Sequence, residues 1–411
     1  MSAGLELRAV RPDEVDDHAR AAEVSFGEST SAESVARWRA GTEVDRTRDV
    51  FDGDRIVATS GAFTFRLTVP GGGAIPASGI TAVTVRSTHR RRGLLRRMMT
   101  ALLDDAVDRG EAVAILTASE GAIYGRFGFG VTTSGCTIRL DRRVARLRPF
   151  DDPGSVELVR GDELGEVVRE VRARHWRTRA GSLELTSGWF DIALADLESE
   201  RGGASERLCA VHRDQRGVAD GVAAYRLRPS MTDGNPSGTV AAERIIALDP
   251  AAHLALWRYL LSIDLMTTVE VGSCAVDDPI RWALTDPRHA AVSGVRDDLW
   301  LRPLDIAAML GARSYRVGDD LVLDVADDDR PEIGGRFRLI TQVDGSAGCA
   351  RTDEPADVRI GVAELGALVL GGVAPGALAR AGRLPGVDAE ALRRLDLLFS
   401  WDEAPHLSAG F

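Results

Sequence analysis

The sequence predicts an α/β protein in three parts: two tandem mixed-sheet domains, each with a crossover helix, and a further α+β domain at the C-terminal end. Three observations predict this. The 411 residues are too many for one hydrophobic core. A strand, a loop, an amphipathic helix and a second strand follow one another in residues 79–118, and a similar succession returns in residues 242–273. After residue 295 the texture changes to short strands with a few helices. The expected domains are therefore residues 1–145, 146–295 and 296–411.

Each element has a local reason. "LELRAV" reads as a strand and "ESVARWRAG" as part of a helix, while "RIVATSGAFTFRLTVPGG" reads as strands ending in a Pro-Gly loop. "GITAVTVRS" is the next strand. In the helix that follows, Leu94, Leu95, Met98, Met99, Leu102, Leu103 and Val107 recur at three- and four-residue spacing, and Gly110 stops it. "AVAILTA" is the returning apolar strand. In the second domain "LCAVHRD" and "GVAAYRLRP" read as paired strands, ahead of the strand, loop, helix and strand of "AERIIALDPAAHLALWRYLLSIDLMTTVEVGS". The third domain is read from "DDLVLDVADDD", "GRFRLITQ" and "ADVRIGVAELGALVLGG".

Composition narrows the function. Hydrophobic residues at 44% and charged residues at 27% are ordinary for a globular chain, and no apolar run approaches the roughly 18 to 20 residues that span a bilayer. The start lacks a basic region followed by an apolar one, so a cytoplasmic protein with no membrane association is expected. Cys136, Cys209, Cys274 and Cys349 form no CxxC pair, which predicts buried thiols and no metal site. All 51 basic residues are arginine, so neither a Schiff-base lysine nor a phosphate-loop lysine exists. The formal net charge of −11 argues against nucleic-acid binding and suits a cationic small-molecule partner.

Against that acidic background, "HRRRGLLRR" (residues 89–97) is an anomaly. Six arginines and no acid lie between Arg86 and Arg97, at a strand-to-helix junction. The first N–H groups of a helix have no intrahelical partner and, with the helix dipole, form an anion site. Gly93 stands where backbone would approach a ligand closely. The cluster suits a ligand with several phosphates; a solvated helix start and a nucleic-acid patch are the other readings.

The pattern V-x-V followed by R-R-R-G-L-L-R resembles the coenzyme-A-binding segment of GNAT acetyltransferases, with Arg90 and Gly93 at its Arg/Gln-x-x-Gly positions. Leu95 stands where the generic pattern has Gly or Ala, as in the enhanced-intracellular-survival (Eis) branch. "ASEGAIYGRFGFG", the tripartite layout and the terminal phenylalanine are similar to that branch as well. The resemblance implies two tandem GNAT-like domains, the second degenerate, and a sterol-carrier-like domain that delivers the C-terminus. Acetyl-CoA is then the co-substrate. Val83, Thr84 and Val85 would meet its pantetheine arm, Arg91, Arg92, Gly93, Leu94, Leu95 and Arg96 its phosphates, and Ser119 and Glu120 would add contacts. Helix capping by Ser119 is an equal reading of the sequence itself.

Acetyl transfer to an amine needs an acid for the leaving thiolate and a base for the amine. Tyr124 is the candidate acid, and the resemblance points to the α-carboxylate of Phe411 as base. Glu28 and Trp38 are candidates for the amine-binding wall, against a surface Glu and a core Trp. The implied acceptors are small polyamines such as aminoglycosides, although Gly410 replaces the branch's acidic residue before the terminal phenylalanine. A protein-lysine or N-terminal amine acetyltransferase, and a non-catalytic lipid- or acyl-CoA-binding protein, are the alternatives. The resemblance also implies a homo-oligomer, a hexamer.

Overall fold

The computed structural model describes residues 4–28 and 30–411. A first sheet runs in the order Leu5–Arg8, Asp49–Asp52, Arg55–Thr68, Ala74–Val85, Val113–Leu116, Trp300–Pro303, Gly130–Val131, with Leu183–Glu184 pairing Arg55–Thr68. "RIVATSGAFTFRLTVPGG" makes one 14-residue strand, not several. Ala74–Val85 and Val113–Leu116 are parallel and joined by helix Leu94–Asp108. That helix buries Leu94, Met98, Met99, Leu102 and Leu103 against the sheet. Val107, expected on the same face, is exposed, and Ala106 takes the buried position. Gly110 ends the helix at φ 71°, a left-handed conformation that costs glycine nothing.

The second sheet repeats the plan. Gly238–Ala247 and Met266–Ala275 are parallel strands joined by helix Pro250–Ser262, within the order Ala290–Asp297, Ser134–Asp141, Met266–Ala275, Gly238–Ala247, Ala219–Arg228, Leu208–Arg213, Ser155–Val159. The two sheets exchange strands. Ser134–Asp141 pairs with Met266–Ala275 and Ala290–Asp297, and Trp300–Pro303 inserts between Val113–Leu116 and Gly130–Val131. The change of sheet therefore falls ahead of Ser134, not at residue 145, and the first sheet takes back a strand from beyond residue 296. Local pattern marks a strand but not its partner sheet.

The third unit has a four-stranded sheet, Ala347–Arg351, Gly335–Thr341, Asp319–Ala326 and Val358–Gly361, covered by helices that include Ile306–Ala312, Val362–Leu368 and Ala389–Phe399. It shares one apolar core with the first sheet: Phe65, Ile75, Val113 and Leu301 pack in the same cluster as Leu323, Leu365 and Leu398. A fully buried ion pair, Arg302 to Asp327 at 2.7 Å, ties them together. All four cysteines are free; Cys349 is half-buried and the others buried. Among the described residues no helix is long and apolar enough to cross a membrane.

After helix Ala389–Phe399 the chain leaves the third unit and runs along the second domain. The Arg179 guanidinium donates to the Ala404 carbonyl (2.8 Å), the His406 amide to the Ala180 carbonyl (2.9 Å), and the Arg172 guanidinium to the Ser408 carbonyl (2.9 Å). Leu407 and Ala409 are buried in the shared core. This track brings Phe411 between the first two domains.

Candidate active site

The site begins where the first sheet opens. Ala74–Val85 and Val113–Leu116 pair only from Ala77 to Gly79. The longer strand then runs on to Val85 with that edge uncovered, and uncovered strand edges present backbone groups to a ligand. A bulge marks the opening. Ala82 has φ 55°, and the register against Arg55–Thr68 shifts between Thr59 and Gly61. The buried Thr59 hydroxyl donates to the Ala82 carbonyl at 2.7 Å and also lies 2.7 Å from the Thr84 hydroxyl, which holds the bulge in place. A cavity of about 550 Å³ starts here, with Val83 on one side of the opening and Thr117, Ser119 and Tyr124 on the other.

The arginine loop lies at the far end of the same strand. Arg91 has φ 63° and Gly93 φ 76°, so the loop makes two left-handed steps before the helix starts at Leu94. A Cβ on Gly93 would meet nothing within 4 Å, so the dihedral angle, not crowding, is what favours glycine there. Arg91 and Arg92 are exposed, and among the described residues no carboxylate pairs with either. Leu94 is buried and Leu95 half-buried in the core, so each can offer a ligand only its backbone N–H. Arg96 is engaged elsewhere, 2.8 Å from Asp329 of the third unit. Together the loop and the helix N-terminus are electropositive.

Tyr124 ends the short helix Gly121–Tyr124 and is 8% exposed, its ring edge-on to Phe129 at 6.2 Å. Burial, and then the charge of Glu120, raise its pKa above the ordinary phenol value, so it carries its proton throughout the neutral range. Glu120 is the N-cap of this helix and no side chain caps it. Ser119 faces the cavity and Glu120 is exposed beside it.

Phe411 reaches the same cavity from the other end of the chain. Its ring packs edge-on to Phe65, with centroids 5.1 Å apart, and the Thr117 hydroxyl donates to its terminal oxygen at 3.2 Å. Gly79 makes this packing possible: a Cβ there would lie 2.5 Å from the Phe65 ring and 3.2 Å from that of Phe411. Trp38, on helix Ala32–Gly41, and Glu28, just after helix Val15–Phe26, line the opposite wall.

The remaining wall comes from the second domain. Helix Asp162–His175 contributes Val168 and Arg172, helix Ser187–Leu194 contributes Trp189 and Phe190, and strand Gly238–Ala247 contributes Glu243 and Arg244. Burial, with Arg244 nearby, pushes the Arg172 pKa down to about 9. Arg244, 2.9 Å away, holds the Glu243 carboxyl below its ordinary range. Of the residues singled out in the sequence, Glu28, Trp38, Val83, Ser119, Tyr124, Gly410 and Phe411 meet in this one cavity. The arginine loop lies outside it, at the end of the strand. Sequence reasoning missed the whole second-domain wall, whose signal was a charged pair, Glu243–Arg244, inside an otherwise apolar strand.

A splayed pair of parallel strands, an electropositive loop at a helix start and a proton-bearing tyrosine at the split are the parts of an acyl-CoA-dependent transferase. Models of the acetyltransferase (GNAT) domain match residues 6–132 and 181–303, and a sterol carrier protein domain model matches residues 306–408. The chain is an N-acetyltransferase of the GNAT type, a class that uses acetyl-CoA. It is 37% identical to the N-acetyltransferase Eis of Mycobacterium tuberculosis over 93% of each chain. It is also 39% identical to an uncharacterized N-acetyltransferase of Streptomyces coelicolor, over 99% of this chain and all of that one. The crystal structure of Eis1 from Mycobacterium abscessus superposes with a TM-score of 0.86 at 29% identity, covering 99% of this chain and 100% of that one. The chain belongs to the Eis family.

Proposed function

We propose that the chain moves the acetyl group of acetyl-CoA directly onto the amine of a small molecule seated in the 550 Å³ cavity, in a ternary complex. The carrying observation is that Tyr124 and the Phe411 carboxylate, far apart in sequence, line one cavity at the sheet opening. In this reading the uncovered edge at Val83–Val85 pairs with the pantetheine arm, and Arg91, Arg92 and the N–H groups at Gly93–Leu95 hold the phosphates. The Phe411 carboxylate, oriented by Thr117, takes a proton from the acceptor ammonium. The freed amine attacks the acetyl carbonyl and an N–C bond forms; as the C–S bond breaks, the Tyr124 hydroxyl protonates the departing thiolate, and the second proton of the attacking nitrogen returns the phenolate to the phenol while the Phe411 carboxyl releases its own proton to solvent. Glu28, Glu243 and the terminal carboxylate are the anions that would receive the ammonium groups of a polyamine, aminoglycosides included. A nucleophilic relay has little support: Cys136, Cys209 and Cys274 are buried and Cys349 half-buried, and none of the four lines the cavity.

Direct transfer predicts that acetyl-CoA without an acceptor leaves the protein mass unchanged, and that thiol release begins only when an amine is added. An intact-mass increase of one acetyl group would replace this mechanism with a covalent one. The phosphate assignment predicts that changing Arg91 and Arg92 together to Ala weakens acetyl-CoA binding, and that the loss shrinks as salt rises, because screened charge pairs are being removed. Equal affinity by titration calorimetry at low salt would refute it.

A further inference from the structure

The second domain keeps the geometry of the first domain's strand opening. In the first domain Gly61 faces Thr81 and Thr59 faces Thr84, so Ala82 and Val83 together oppose Ser60. In the second, Tyr225 faces Ala242 and Ala223 faces Ile245, so Glu243 and Arg244 together oppose Ala224. The bulge falls at the matching place, and Arg244 stands where Val83 stands. The parallel pairing with the next strand also stops there. Its last pair is Ala242 with Val271, as it is Gly79 with Ile115 in the first domain. Gly238–Ala247 runs on beyond that pair, leaving a groove between the two strands. The helix start differs. Asp249 caps helix Pro250–Ser262, its carboxylate accepting from the Ala251 N–H at 2.7 Å, where the first domain has its arginine loop. A carboxylate there repels the phosphates that a free helix N-terminus attracts.

The chain's own end lies in this groove. A void of about 80 Å³ remains between them, lined by Arg244, Ile246, Ser273 and Cys274 of the strands and by His406 and Ser408 of the tail. The guanidinium groups of Arg244 and Arg172 both donate to the Ser408 carbonyl, and the Ser273 hydroxyl lies 3.4 Å from the His406 Nε2. Burial, and then the charge of Arg244, hold the His406 pKa well below its ordinary value, so the ring enters the groove uncharged at neutral pH. Arg244 also lines the 550 Å³ cavity. Ser408 precedes Phe411 by three residues, roughly 11 Å of chain at most.

We infer that the second domain's groove seats residues 404–409 in place of a cofactor, and that Arg244 is a positioning residue for the Phe411 carboxylate. The two clefts of one shape then serve one reaction: the first takes the arm of the acetyl donor, the second the segment that carries the base. A carbonyl held from two elements, helix Asp162–His175 and strand Gly238–Ala247, limits how far the terminal carboxylate can drift. That limit matters because a misplacement of about 1 Å costs a reaction on the order of 10²-fold. The positioning role rests on the acetyl-transfer reading above; the occupation of the groove does not.

The test compares the full-length protein with Arg244→Gln on the groove wall and His406→Ala on the tail; the second variant keeps the test open if the first folds poorly. Titration calorimetry is expected to find one acetyl-CoA per chain, at the same affinity in all three. With 1,6-diaminohexane or an aminoglycoside as acceptor, both variants are expected to lower kcat by roughly 10- to 100-fold with little change in acceptor KM. Arg244→Lys, which keeps a cationic donor, is expected to recover part of the loss. Cys274 reports on the groove itself. Its alkylation by iodoacetamide, mapped by mass spectrometry, is expected to rise by about tenfold in both variants, because a tail with one anchoring contact fewer opens more often. Unchanged reactivity of Cys274 in both, or a second acetyl-CoA per chain, would overturn the occupation of the groove. A loss carried by acceptor KM at unchanged kcat would make Arg244 part of the acceptor wall and overturn its positioning role. If a chain extended past Phe411 turns over as fast as the parent, the base reading falls and the positioning role with it, while the labelling of Cys274 still decides what fills the groove.

Discussion

Extending the chain past Phe411 by a few residues is expected to abolish acetyl transfer while leaving acetyl-CoA binding intact. The extension turns the terminal carboxylate into an amide, which has no basic oxygen at neutral pH. It also forces extra chain into the cavity at the point where the Phe411 ring packs against Phe65 and Gly79. Deleting Phe411 should have the same effect for a different reason: the carboxylate withdraws by about 3.3 to 3.6 Å, beyond hydrogen-bond reach of the reacting amine. Phe411→Leu keeps the carboxylate and most of the apolar anchor and should retain more activity than either. The measurement is turnover at matched acetyl-CoA occupancy, for protein tagged at the N-terminus against protein with an uncleavable C-terminal tag. Equal rates would remove the chain end from the chemistry.

The second large effect is expected at Tyr124. Tyr124→Phe deletes one hydroxyl and little volume, so the packing against Phe129 and the binding of acetyl-CoA should survive. Turnover should fall by roughly 10²- to 10⁴-fold, the range for loss of a general acid. Because burial raises the Tyr124 pKa, no loss of activity in the neutral range should trace to its ionisation; a decline there belongs to another group. Near-normal turnover of Tyr124→Phe with every acceptor would end its assignment as proton donor.

What the sequence revealed was what local pattern can encode. The spacing of Leu94, Met98, Leu102 and their neighbours fixes one helix face, and a run of arginines around Gly93 marks an electropositive strand-to-helix junction. The duplicated strand–helix–strand order reappears as two parallel strand pairs. The exchange of Ser134–Asp141 and Trp300–Pro303 was invisible, because alternation identifies a strand and says nothing about which sheet accepts it. The cavity wall was hidden for a related reason. Arg172, Trp189 and Glu243 are ordinary members of amphipathic elements until the second domain swings them towards Tyr124. Phe411 is a terminal residue like any other until Arg172, Arg179 and Ala180 hold the last residues on their track.

The strand exchange also governs how the protein is made. A ribosome delivers the chain from its N-terminus, at roughly 5 to 20 residues per second. The gap between Val113–Leu116 and Gly130–Val131 is filled only by Trp300–Pro303, so the first sheet waits for nearly three-quarters of the protein to emerge. During that wait Val113–Leu116 offers an unpaired edge made of four residues that end fully buried. The first half thus depends on the rest of the chain: residues 4–133 cannot be cut away as a free-standing module without leaving their sheet one strand short.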